Sequence, residues 1–213
     1  MNRFIFAFFL LIFGYGNAQD VSVNAPQYDY EHIYAWHSDI SIDKDAQVTI
    51  TEKIKVYVGG SIIKRGIYRS LPRNRDINGK NRKIKYDIIS VKKNGTEENY
   101  HTENIGSDLA IYVGNEDVIL DHGIYTYDIT YKTSDQNGFF DNYDEFYWNV
   151  NGALWDFPID EISAKVTLPD NAKILQKSCY TGSYKSTESN CVGKELSFNT
   201  IEWSAKNLQP NEG

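Results

Sequence analysis

Seven carboxylates fall between positions 135 and 161: Asp135, Asp141, Asp144, Glu145, Asp156, Asp160 and Glu161. A suitably spaced pair of such groups could do acid–base work on a glycosidic bond. The run Asp141-Asn142-Tyr143-Asp144-Glu145 also offers oxygen ligands to calcium, but the Asp-x-Asp-x-Asp-Gly loop that spaces such ligands is missing. Turn formation, with ion pairs to a basic segment, accounts for the same residues without any chemistry. The four histidines (His32, His37, His101 and His122) are scattered, with no HExxH or HxH spacing, so no zinc site is predicted. Neither Gly-x-Ser-x-Gly nor GxxxxGK[ST] occurs. On this reading the chain has no catalytic, metal or cofactor residues, and no cofactor is expected.

The opposite charge is as concentrated. Between Lys64 and Lys93 stand eleven Lys and Arg against two acids, Asp76 and Asp87, a net +9 in thirty residues. Such a segment focuses field and could steer an anionic ligand or an acidic protein face. The candidate contact surface is Arg73, Arg75, Lys80, Arg82, Lys83 and Lys85. The alternative is a solvated loop paired with the domain's own acids. Cys179 and Cys191 enclose CYTGSYKSTESNC, which reads as a hairpin loop closed at its base by a disulfide.

These groups need strands to hold them. Val48, Ile50, Ile54, Val56 and Val58 share one face at a period of two, and Glu52 interrupts that face. Tyr125, Tyr127, Ile129 and Tyr131 form a second row, and Ile162, Ala164, Val166 and Leu168 a third. The tyrosines suit one-sided burial in strands, or an aromatic surface for a peptide or glycan. Asp43-Lys44-Asp45-Ala46 and Lys93-Asn94-Gly95-Thr96 are turn strings, the second of the Asn-Gly hairpin type. The spacing predicts an all-β fold: an antiparallel β-sandwich of about nine or ten strands, immunoglobulin-like or a related Greek key. The chain has 213 residues, 41% of them apolar, which is enough for a real core. Its formal net charge of −7 argues against a nucleic-acid partner.

Residues 1–18, with Arg3, an apolar run from Phe4 to Phe13, and Gly16 and Ala18 before the cut, read as a signal peptide. A polar lead at 19–34 and one domain at 35–213 follow. The final NLQPNEG is turn-like and suggests a chain that continues into a further segment.

Two strings go beyond composition: RGIYRSLP (65–72) and DEFYWNVNGALWDFPI (144–159). With SDISIDKDAQVTITEKI (38–54), CYTG (179–182) and Cys191, they resemble the predicted membrane proteins that carry domain of unknown function 2207, over roughly 35–213. The resemblance implies an exported β-sandwich attached to a membrane through helices that this chain lacks. It implies no biochemical activity. Within the motifs, Gly66 would bend the strand, and Arg65 and Arg69 would lie on one face and fork onto Asp144 or Glu145. Trp148 and Trp155 flank the Asn151-Gly152 turn, and at least one should be core. Arg65, Gly66, Tyr68, Arg69, Pro72, Asp144, Glu145, Trp148 and Trp155 together form the candidate clamp. The expected protein is a non-enzymatic, membrane-anchored recognition or assembly domain on the extracytoplasmic side. A carbohydrate-binding or carbohydrate-active domain and a structural spacer are the alternatives.

Overall fold

The structure, a computed structural model, describes residues 30–77, 79–152 and 154–213. The leader and the first part of the polar lead lie outside the described residues. The fold is all-β, built from β1 (His32–Ile42), β2 (Val48–Val58), β3 (Gly66–Pro72), β4 (Asn74–Ile77), β5 (Lys80–Lys83), β6 (Tyr86–Lys93), β7 (Thr96–Glu97) and β8 (Tyr100–Ile105). The second half adds β9 (Asp108–Gly114), β10 (Gly123–Thr133), β11 (Asn137–Phe139), β12 (Asp144–Phe146), β13 (Ile159–Thr167), β14 (Cys191–Ser197) and β15 (Thr200–Leu208). That is more strands than the sequence spacing predicts. The surplus comes from β4, β5, β7, β11 and β12, which hold two to four residues each and are too short to show a period.

Eight strands form one sheet in the order β14-β15-β13-β1-β2-β10-β6-β7, and β3-β9-β8 form another. The pairs β4-β5 and β11-β12 stand apart from both. The large sheet is mixed, not purely antiparallel: β1 pairs with β13 in parallel, from Ile33 opposite Ile159 to Ser41 opposite Thr167. Alternation records which face a residue occupies and not which way its neighbour runs, so the pattern carries no trace of this pairing.

Local chemistry sets the turns. The Asp43 carboxylate accepts the N–H groups of Asp45 and Gln47 at 2.9 Å each, and Ala46 takes a φ of 61°. Asn94 and Gly95 both have positive φ, 52° and 81°, as a two-residue hairpin connection requires. One buried core draws on both of the larger sheets. Ile67 and Leu71 of β3 and Ile111 and Val113 of β9 join Ile33, Trp36, Ile50, Ile54, Val56 and Ile129 of the large sheet in a single buried cluster. Each such side chain contributes about 1.5–3 kcal/mol when buried.

At the far end, Cys179 and Cys191 are disulfide-bonded, with Cα atoms 6.5 Å apart. Inside their loop Thr181 bridges Glu188. Gly182 and Gly213 exchange two backbone hydrogen bonds of 3.0 Å, and the Asn211 N–H donates to the Trp155 carbonyl at 2.8 Å. The crosslinked loop and the 151–155 turn therefore both meet the last residues of the chain.

Candidate functional site

In β3 the side chains alternate. Ile67, Arg69 and Leu71 are buried, whereas Tyr68 is exposed and Ser70 half-buried. A guanidinium thus stands in a core register. It is tolerated because β2 places Glu52, fully buried, in its own apolar row between Ile50 and Ile54. Arg69 Nε donates to Glu52 Oε2 at 2.8 Å and Nη2 donates to Oε1 at 2.7 Å, a bidentate pair joining the two sheets. Tyr131 Oη, from β10, donates to Glu52 Oε1 at 2.6 Å. The remaining guanidinium N–H groups meet carbonyls. Nη1 donates to Asn151 O at 2.8 Å and Ser70 O at 3.1 Å, and Nη2 to Val150 O at 3.0 Å. Five donors thus make five hydrogen bonds.

Aromatic rings close the cluster. Trp36 lies 5.1 Å beneath the Arg69 guanidinium and meets Trp155 edge-on at 5.2 Å. Trp155 Nε1 donates to the same Asn151 carbonyl at 2.9 Å. Gly152 takes a φ of 75°, and a Cβ there would sit 3.3 Å from Arg69 Nη1. Burial alone would loosen the Arg69 proton, but the charge and hydrogen bonds of Glu52, then Tyr131, outweigh it and hold the pKa above the ordinary guanidinium value. Burial, then the Glu52 charge, pushes the Tyr131 phenol well above its usual range. The pair is hydrogen-bonded within itself and out of solvent, which suits a clamp between sheets more than a group that must reach a substrate.

The carboxylate in this pair differs from the two that the motifs suggest. Asp144 and Glu145 lie exposed on β12, away from Arg69's hydrogen bonds. Arg65 precedes β3 and does not share the face of Arg69. It is exposed and donates Nε–H to the Glu116 carbonyl at 2.6 Å. The reason is Gly66, whose φ of 148° breaks the alternation. Gly66 packs so tightly against β9 that a Cβ would lie 1.7 Å from the Val113 oxygen. Trp155 is buried, while Trp148 is half-buried and stacks on Phe146 at 6.2 Å. Pro72 ends β3, and its carbonyl accepts the Tyr86 hydroxyl at 2.7 Å. Glu52, Tyr131, Trp36 and Asn151 are the members that the candidate clamp leaves out. Glu52 alone had a visible signal, a charge in the apolar row of β2.

The basic segment divides into two groups. Arg73 donates to the Asn104 side chain. Arg75 donates to Gln136 Oε1 and Tyr147 O at 2.9 Å each and lies over the Tyr147 ring at 5.6 Å. Lys92 pairs with Glu97 at 3.5 Å, and Lys93 with Glu98. Lys80, Arg82 and Lys83 are exposed on β5, and Lys85, also exposed, stands two residues past it, after the buried Ile84. None of these four forms a salt bridge among the described residues. No group of three His, Cys, Asp or Glu side chains among the described residues could hold a metal ion. Nor is any helix among them long and apolar enough to cross a membrane.

Comparison with known proteins places this geometry in context. The uncharacterized protein YciQ of Escherichia coli (strain K12) is 32% identical over 138 residues, which cover 63% of this chain and 21% of YciQ. The chain thus matches about a fifth of that relative's length. Among solved structures, native leukotriene A4 hydrolase from Saccharomyces cerevisiae is similar with a TM-score of 0.50 at 9% identity, over 85% of this chain and 28% of that one. At that identity the likeness is one of fold alone. A family model described as "Predicted membrane protein (DUF2207) N-terminal domain" matches residues 32–213. Since that match takes in every strand from β1 to β15, the chain belongs to the DUF2207 family of predicted membrane proteins, as its N-terminal domain.

Proposed function

We propose that this domain is a non-enzymatic recognition or assembly module of a membrane-anchored protein, exported and held on the extracytoplasmic side. The observation that carries the reading is the division of the basic segment. Arg69 is used by the fold, Arg73 and Arg75 hold the β4–β5 hairpin, and Lys80, Arg82, Lys83 and Lys85 project from it without acidic partners among the described residues. Four unpaired cations on a short hairpin suit an anionic face, and anionic lipid headgroups are the nearest such face for a membrane-anchored domain. The Cys179–Cys191 bond supports an oxidising compartment. The shared core supports a sandwich reading, with the three-stranded sheet as one layer, related to Greek-key folds.

The test is co-sedimentation with vesicles of phosphatidylglycerol and phosphatidylethanolamine, against phosphatidylcholine alone. Wild type should bind the anionic vesicles in a salt-dependent manner. The variant Lys80→Glu, Arg82→Glu, Lys83→Glu, Lys85→Glu should lose that binding. Binding that survives the reversal defeats the hairpin assignment. Turnover on a glycan panel that disappears with Glu145→Gln would defeat the non-enzymatic one.

A further inference from the structure

The face of the three-stranded sheet opposite the core carries a row of rings. Tyr68 of β3, Tyr112 of β9 and His101 of β8 are direct cross-strand partners, so all three project to one side. Tyr68 meets Tyr112 edge-on at 5.1 Å, and His101 stacks on Tyr112 at 4.8 Å with planes 13° apart. Beside this row Gly66 pairs with Gly114, and both lack the Cβ that would collide with the opposite backbone. The result is a shallow, solvent-open cleft with an aromatic wall, bare backbone next to it, and Lys64, Arg65, Asn99, Asn115 and Glu116 around it. Tyr68 is 37% exposed, so the wall is open to solvent.

Cross-strand ring pairs stabilise a sheet on either face. Here they also present flat apolar surfaces edged by hydrogen-bonding groups, which is the complement of a pyranose ring. Its C–H face lies on a phenol, and its hydroxyls reach amides and backbone. Arg65 is fixed by its Nε–H bond to the Glu116 carbonyl, which leaves its terminal nitrogens for a ligand. Arg65 and Lys64 are exposed cations without a salt bridge among the described residues, and against the single lining carboxylate, Glu116, they leave a net positive charge for a sugar acid at one end of the cleft. We infer that this cleft is a binding site for an acidic oligosaccharide, held by stacking on Tyr68 and by ion pairing to Lys64 and Arg65.

Calorimetric titration with a galacturonic acid tetrasaccharide tests the site, with chitotetraose, an oligo-dT strand and phosphatidylglycerol vesicles as comparators. The acidic tetrasaccharide should bind more tightly than the neutral one. Tyr68→Ala should weaken it at least tenfold while the domain stays folded by circular dichroism, and Tyr68→Phe should retain it. Lys64→Gln with Arg65→Gln should abolish the preference for the acidic sugar while leaving neutral binding in place. The hairpin charge-reversal variant should bind the sugar like wild type, which separates this site from the proposed lipid contact. Absence of binding by both sugars, binding indifferent to Tyr68→Ala, or Tyr68-dependent binding of oligo-dT or vesicles instead, would overturn the assignment.

Discussion

Arg69 and the four cations of the β4–β5 hairpin come from the same basic stretch, yet they meet opposite fates. Arg69 is 2% exposed and makes five hydrogen bonds, two of them to a buried carboxylate. Lys80, Arg82, Lys83 and Lys85 stand in solvent. The difference lies in what the opposite sheet supplies. Where β2 offers Glu52 in register, a guanidinium becomes a joint between layers. Around Lys80, Arg82, Lys83 and Lys85 no carboxylate among the described residues comes within ion-pair distance, and these four charges stay in solvent. Charge in a sequence is thus a resource whose use depends on its tertiary neighbour.

The sharpest way to break this contrast is to remove one side of the buried pair. Glu52→Ala should destabilise the domain by about 3–5 kcal/mol, because it leaves Arg69 charged and buried without a counter-ion. The double variant Glu52→Leu, Arg69→Met should recover more than half of that loss in urea unfolding, since the isolated charge is gone. If Glu52→Ala melts like wild type, the pair does not join the sheets.

The crosslinked loop ranks next. Cys179→Ser with Cys191→Ser opens a loop of 12-residue separation and should cost about 3 kcal/mol by the chain-entropy argument. Amide exchange should rise first at Gly182 and Gly213, whose mutual hydrogen bonds depend on that loop. Uniform loss of protection across β1 and β2 would contradict a local role.

Alkaline pH probes the same cluster more gently. Burial pushes the Tyr86 phenol up to about 12, and Tyr131, which it meets edge-on, is raised as well. Unfolded tyrosine ionises near pH 10, so between pH 10 and 12 the unfolded state loses protons that the folded state keeps. Stability therefore falls as pH rises through this window, by on the order of 1 kcal/mol for one half-buried phenol. Urea unfolding at pH 9 and pH 11.5 reads the effect, and Tyr86→Phe should lessen it, leaving the part that Tyr131 contributes. The smallest change is expected at the hairpin. Its fourfold charge reversal, so damaging to vesicle binding, should shift stability by no more than about 0.5 kcal/mol.

Much of the fold was legible in residue order. The period-two rows of β2 and β10, the Asp43 turn and the Asn94-Gly95 hairpin follow from local rules that need no partner. So does the Cys179–Cys191 bond, the chain having no other cysteine. The candidate clamp was legible by half. RGIYRSLP pointed to Arg69 and DEFYWNVNGALWDFPI to Trp155, but the carboxylate sits in a strand that reads as apolar, seventeen positions before Arg69. A single glutamate in an apolar row looks like a defect until the facing arginine is known. The position of Arg65 was misread for a related reason. Alternation was carried back across Gly66, whose φ of 148° other residues rarely adopt.

Sequence by itself determined the element type, the turns, the loop crosslink and the family, because each depends on residues near one another in the chain or on their order. Tertiary structure alone decided that β1 and β13 run parallel, that Glu52 is the partner of Arg69, and that Tyr68, Tyr112 and His101 align in one row. These depend on which strands come to face each other. Alternation says which side a residue faces, and only packing says what it meets there.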